Sequence, residues 1–165
     1  MRLRLRKSRS KSRAEQPTSA ESPGKRSAIQ IVVTPGSGAG LALLTARRLS
    51  TLLRRQGRES RLRKFRQLAA LRRWAETCEA DFSHLICVGG DATMSTAAHA
   101  AIRLNIPFLA VPQGFGNVFA STFHYPDRPE AVLSLLEHGH VRRVDVGRAR
   151  KDELEPVPAK ELLER

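Results

Sequence analysis

Apolar positions along the chain change their spacing in a regular order. A short β-rich run, Ala28–Val33, is closed by "TPGSGAG", which cannot continue a strand. "LALLTARRLSTLLRRQG" then repeats leucine at helical spacing and stops at Gly57, a residue suited to a helix end. "ESRLRKF" reads as an exposed second strand. "RQLAALRRWAETC" is helical, with Leu68, Leu71, Trp74 and Ala75 on one face. "HLICVGG" predicts a third strand followed by the helix "TMSTAAHAAIRLN". "PFLAVPQG" predicts a fourth, followed by "NVFASTF" and the amphipathic "RPEAVLSLLEHG". "VRRVDVGRA" reads as a fifth strand.

Strands alternating with helices predict an α/β fold of three layers, a mostly parallel sheet with helices on both faces. The organisation predicted is a disordered basic tail (1–27), one domain (28–150) and a charged C-terminal tail (151–165). Ligands of such sheets bind at the carboxyl ends of the strands. Three glycine-rich turns fall at those ends: "TPGSGAG", "GGDAT" and "PQGFGN".

Each turn has a chemistry of its own. Backbone N–H groups at a strand-to-helix turn face outward at the positive end of the helix dipole, and glycine admits phosphate oxygens. The first turn offers Ser37 and Gly38, with Gly36 and Gly40 on either side. It lacks the Gly-Lys-Ser/Thr ending of a P-loop, and Leu41 stands where a dinucleotide fingerprint wants glycine or alanine. The second offers Gly89, Gly90, Asp91, Ala92 and Thr93. Its Asp91 can orient Mg²⁺ or a ribose hydroxyl, or act only as a helix N-cap. The third offers Gly114, Phe115, Gly116 and Asn117, where the Asn amide either meets a ligand or holds the turn itself.

Charge sharpens this picture. Of a net +13, residues 1–28 hold nine Lys/Arg against Glu15 and Glu21, and residues 47–73 hold eleven against Glu59 alone. The rest of the chain is acidic on balance, so the basicity belongs to a tail and one surface region. Such regions attract phosphates on nucleic acid, anionic lipid or nucleotide. The tail reads as a solvated segment, a membrane or nucleic-acid arm, or an organellar transit-like segment. No helix-turn-helix, RNP-like aromatic pair or zinc spacing accompanies the basic region, which counts against nucleic acid. Cys78 and Cys87 read as buried, reduced thiols, pointing to a cytoplasmic setting. His138 and His140 have metal-like spacing but no third ligand nearby, and His84, His99 and His124 stand alone.

The order "TPGSGAG … GGDAT … PQGFGNVFA … VDVG" resembles the catalytic domain of the diacylglycerol kinase and sphingosine kinase superfamily, which shares a fold with NAD kinases. The resemblance runs from about Ile29 to Arg148. It implies transfer of the ATP γ-phosphate to a lipid alcohol at a membrane surface, with Mg²⁺ offsetting the developing charge. By position, Gly89, Gly90, Asp91, Ala92 and Thr93 would line the phosphate and metal end, with Asp91 also the candidate catalytic base. Gly114, Phe115, Gly116 and Asn117 would close the other wall, and Ser37 and Gly38 would touch the nucleotide from the first turn. Asp145 matches an acidic position of the late strand.

Departures fall inside the motifs. Thr34 replaces an Asn, Ala92 a glycine, Phe115 a Thr or Ser, and Val118 an Asp. The threonine often found after the second strand is not evident near Lys64 and Phe65. Ala92 strains the turn if its φ is positive and merely stiffens a helix start if it is negative. The family's β-rich second domain would follow the "DVG" strand, where this chain passes into "KDELEPVPAKELLER". A separate second domain or a second copy of the chain would then be needed for lipid transfer. Other readings are a non-catalytic nucleotide-binding module and a basic nucleic-acid-associated protein whose turns are structural.

Overall fold

The computed structural model describes residues 28–144 together with 146 and 147. Four strands form one parallel sheet in the order β2-β1-β3-β4: β1 Ile29–Val33, β2 Ser60–Lys64, β3 His84–Gly89 and β4 Phe108–Pro112. The helices are α1 Leu41–Arg55, α2 Leu68–Thr77, α3 Asp91–Leu104, α4 Val118–Thr122 and α5 Pro129–His138.

β1 and β3 are apolar apart from Gln30 and the terminal His84 because both of their faces are covered. Ile29, Ile31, Val33, Ile86 and Val88 pack with α1 and α5. Val32, Leu85 and Cys87 turn the other way, into a core shared with α2, α3 and Ala120 of α4. Gln30, buried in β1, is satisfied by donating from Nε2 to the carbonyls of Ile31 and Arg61. β2, at the edge, keeps the polar alternation expected of an exposed strand. Its Ser60 bonds Ser50 of α1, and Arg63 lies 5.7 Å from the Trp74 ring centre.

The helix ends follow local chemistry. Gly57 takes φ +72° after α1, and Asn105 takes φ +50° at the C-cap of α3. Trp74 anchors α2, with Phe65 at 5.5 Å and Phe82 stacked at 6.2 Å. Cys87 is buried, and burial pushes its thiol pKa up; Cys78 is only half-buried and accepts from Arg103.

The fifth strand expected over "VRRVDVGRA" does not form among the described residues. Val141–Val144 are irregular, and Val141, Val144 and Val146 are exposed. Alternating valines make a strand only where they pair with a neighbour under a covering layer, and these lie exposed and pair with no strand among the described residues. Asp145 and both tails lie outside the described residues.

Phe82→Ala should cost about 3–5 kcal/mol, because it empties a fully buried ring site against Trp74. Urea unfolding followed by the fluorescence of Trp74, the single tryptophan, measures this. Arg54→Ala, on the exposed face of α1, should change stability by less than about 0.5 kcal/mol.

Candidate functional site

All four strands point the same way, so their carboxyl ends share one edge of the sheet. The three glycine turns follow β1, β3 and β4 there. β1 and β3 are adjacent, yet α1 crosses one face of the sheet and α3 the other. The crevice between them is the topological switch point of the sheet.

The first turn, Ser37–Gly40, is left-handed: Gly38, Ala39 and Gly40 all have positive φ (+59°, +53°, +88°). A side chain at Gly38 would put its Cβ 2.6 Å from the carbonyl oxygen of Gln113. That glycine therefore lets the first turn lie on the end of β4. Ala39 holds a left-handed conformation that costs a non-glycine residue about 1–2 kcal/mol. This strain is a feature the sequence pattern did not reveal.

The second and third turns meet in the same way. A Cβ on Gly114 would come within 2.7 Å of the Gly90 Cα. Gln113 N–H donates to the Gly89 carbonyl at 2.8 Å, extending the β3–β4 ladder into the turns. Across the crevice, the hydroxyls of Thr34 and the buried Thr93 are 3.0 Å apart. Thr34 thus uses the group that replaces the family's Asn to fasten turn one to turn two.

Asp91 is not the N-cap of α3. Gly90 holds that position, and Asp91 is the first helical residue. Its Oδ1 accepts the backbone N–H of Phe119 at 3.0 Å, capping the neighbouring α4 instead. A Cβ on Gly116 would lie 3.1 Å from Oδ2, so that second oxygen faces the third turn. Asn117 holds its own turn: Gly114 N–H donates to Oδ1 at 2.8 Å, and Nδ2 donates to the Gly114 carbonyl at 2.7 Å.

Ala92 lies in the first turn of α3 and is not among the residues with positive φ. No backbone strain attaches to it, and alanine suits that position. The first helical bond of α3 is Met94 N–H to the Gly90 carbonyl, so the N–H groups of Asp91, Ala92 and Thr93 precede the ladder. Phe115 is fully exposed at the tip of the third turn, and Ser37 is half-buried in the first. An open cleft of about 310 Å³ beside the third turn is lined by Pro112, Asn117, Ala120, Ser121, Tyr125, Pro126 and Asp127.

The structure therefore brings Ser37, Gly38, Gly89, Gly90, Asp91, Ala92, Thr93, Gly114, Phe115, Gly116 and Asn117 to one edge of the sheet. Thr34 and Gln113, which join the turns, were not predicted as site residues; the signal for Thr34 was its place at the motif's Asn position, and for Gln113 only its place beside Gly114. Two of the histidines stand away from the turns. His84 opens β3 with its pKa lowered by burial and by Arg58, and His99 lines a separate cleft between α2 and α3. Among the described residues, no three His, Cys, Asp or Glu side chains gather as a metal cluster.

Known proteins agree with this architecture. The profile of the family described as "Diacylglycerol kinase catalytic domain" matches residues 28–149. The chain belongs to that family. It is 32% identical over 76 residues to a diacylglycerol kinase of Staphylococcus saprophyticus, an alignment covering 45% of this chain and 25% of the relative. A solved structure from Bacillus anthracis str. Sterne, provisionally described as a diacylglycerol kinase, superposes with a TM-score of 0.56 at 18% identity. That superposition covers 72% of this chain and 44% of the other, and it establishes the shared fold. The chain spans a quarter to under half of the length of these two proteins.

The two alanines of the turns should respond in opposite directions to glycine. Ala39→Gly should raise stability by about 0.5–1 kcal/mol by releasing a left-handed alanine. Ala92→Gly should lower it by a similar amount by weakening the start of α3. Thermal unfolding of the two variants beside the parent reads both signs; equal signs would contradict the backbone described.

Proposed function

We propose that this chain provides the nucleotide half of a lipid kinase, taking MgATP at the edge of the three turns for transfer to a lipid alcohol. The observation carrying this reading is the convergence of two helix N-termini and Asp91 at the switch point, in a chain of the diacylglycerol kinase catalytic domain family. The N–H groups of Asp91, Ala92 and Thr93 at the start of α3 supply donors for phosphate oxygens, with the helix dipole aligned to favour them. Gly38 and Gly90 keep the floor free of side chains.

The residues fit a magnesium ion of the kind that nucleotides carry. Mg²⁺ needs only one or two carboxylates when phosphates and water supply its other ligands. Asp91 fits that count, since Oδ1 is fixed by Phe119 and Oδ2 faces the turns. When bound, the metal would neutralise charge on the phosphate oxygens. Transfer forms a bond from the lipid hydroxyl oxygen to the γ-phosphorus, breaks the bond to the bridging oxygen and releases the hydroxyl proton. The Asp91 Oδ2 can ligate the metal or take that proton. One oxygen cannot do both at once, so these roles are alternatives.

A second reading, nucleotide binding without transfer, is favoured by one feature. The three turns contribute a single carboxylate, Asp91, and Phe115 brings no hydroxyl to its position. Saturable binding without product would select it.

MgATP should raise the melting temperature of the full chain, by about 2.7 kcal/mol of stabilisation at a hundredfold excess over Kd. Asp91→Asn keeps an acceptor for the Phe119 N–H and removes the charge. It should fold like the parent and lose most of the Mg²⁺-dependent part of the shift. No shift in the parent would contradict the reading for this chain. Assaying phosphate transfer to diacylglycerol and to a sphingoid base then distinguishes the lipid classes from each other and from binding alone.

A further inference from the structure

Among the described residues the outer edge of β2 pairs with no strand, and arginines border it from both layers of helices. On α1, Arg47 and Arg54 lie one turn to either side of Ser50, whose hydroxyl meets Ser60 of β2 at 2.9 Å. Residues so spaced are neighbours on one helix face, so both arginines stand beside the strand, about 10 Å apart along the helix. β2 itself adds Arg63, whose guanidinium lies over the Trp74 ring on the opposite side of the sheet. Arg66 follows on the link to α2, and all four arginines are exposed.

Carboxylates do not balance them. Glu59 and Asp81 both go to Arg61, and Glu130 of α5 goes to Arg48. Among the described residues, no ion pair holds Arg47, Arg54, Arg63 or Arg66. Charges on an edge strand discourage pairing with another chain. That accounts for the arginines of β2, but not for those that α1 and the link add. None of the exposed large apolar side chains lies on β2, on α2 or between them. A protein partner is held by aromatic and apolar anchors, and a bilayer by side chains that insert. Backbone phosphates need neither, and a guanidinium group takes phosphate oxygens two at a time.

We propose that the β2 edge is a sequence-independent binding surface for the phosphodiester backbone of nucleic acid, with Arg47, Arg54, Arg63 and Arg66 as its phosphate contacts. The lack of base-reading motifs excludes recognition of sequence and leaves this electrostatic mode intact. Binding here requires no nucleotide at the three turns.

Fluorescence anisotropy of a short labelled RNA, single-stranded and as a duplex, titrated with the full chain at several salt concentrations, tests the assignment. Affinity should fall as salt rises. The slope of log K against log salt should shrink by about 1.4–1.8 in Arg47→Gln/Arg54→Gln and by about 0.7–0.9 in Arg63→Gln. Arg48→Gln, whose charge Glu130 already holds towards α5, should keep the parent's slope. All three variants should melt with the parent, because they change exposed side chains. The nine Lys/Arg of residues 1–28 are common to every one of these proteins. Slopes unchanged in both arginine-edge variants would therefore leave the binding to that segment and overturn the assignment. An equal loss in Arg48→Gln would overturn it too, by reducing the effect to net charge. So would polyglutamate or phosphatidylglycerol vesicles that displace the RNA at equal charge, giving the surface to an acidic protein or to a bilayer. Absence of RNA binding at low salt would end the proposal, while leaving the MgATP shift of the same preparation unaffected.

Discussion

Everything at the carboxyl edge depends on backbone approaching backbone. Gly114 lies against Gly90 and Gly38 against the Gln113 carbonyl, at separations that leave no room for a Cβ. A protein interior tolerates such proximity only where side chains are missing. Once the turns are that close, short polar groups can tie them. Thr34 reaches Thr93, Gln113 reaches Gly89, and Asp91 reaches across to the start of α4. The glycines thus have a structural reason to be where they are before any ligand arrives. The same reason leaves an unobstructed floor of N–H donors at the switch point.

This arrangement changes the meaning of individual motif residues. Asn117 spends both polar atoms of its amide on Gly114, so it shapes the wall it belongs to. Asp91 divides its two oxygens between holding α4 and facing the turns. Preorganisation of this kind puts the cost of ordering the site into folding, where the sheet supports it, and spares that cost at binding. The double role also explains why Asp91 is better probed with asparagine than with alanine, since alanine would release α4 along with the charge.

Much of this was legible in the sequence. The periodicity placed the four strands and four of the five helices, leaving α4 unassigned, and the glycine clusters marked the carboxyl ends where the three turns gather. The burial of β1 and β3 follows from runs that are apolar apart from Gln30 and His84, and the exposure of β2 follows from its arginines. Three things were not legible, each for a physical reason. The valines of Val141–Val146 have strand spacing, but pairing depends on an edge that sequence does not display. The φ of Ala92 depends on where α3 begins, one residue earlier than a capping aspartate would set it. Contacts such as Thr34 to Thr93 join residues 59 apart, and no local pattern announces them.

The most direct test of the account is whether the three turns respond to nucleotide as one unit. Amide proton–nitrogen correlation spectra of the full chain, titrated with MgATP, report this residue by residue. The account predicts that signals from Gly36–Gly40, Gly89–Thr93 and Gly114–Asn117 move together along a single binding curve, while the amino ends of the strands stay still. Shifts confined to one turn, or to the arginines of α1, β2 and α2 with the turns silent, would contradict it.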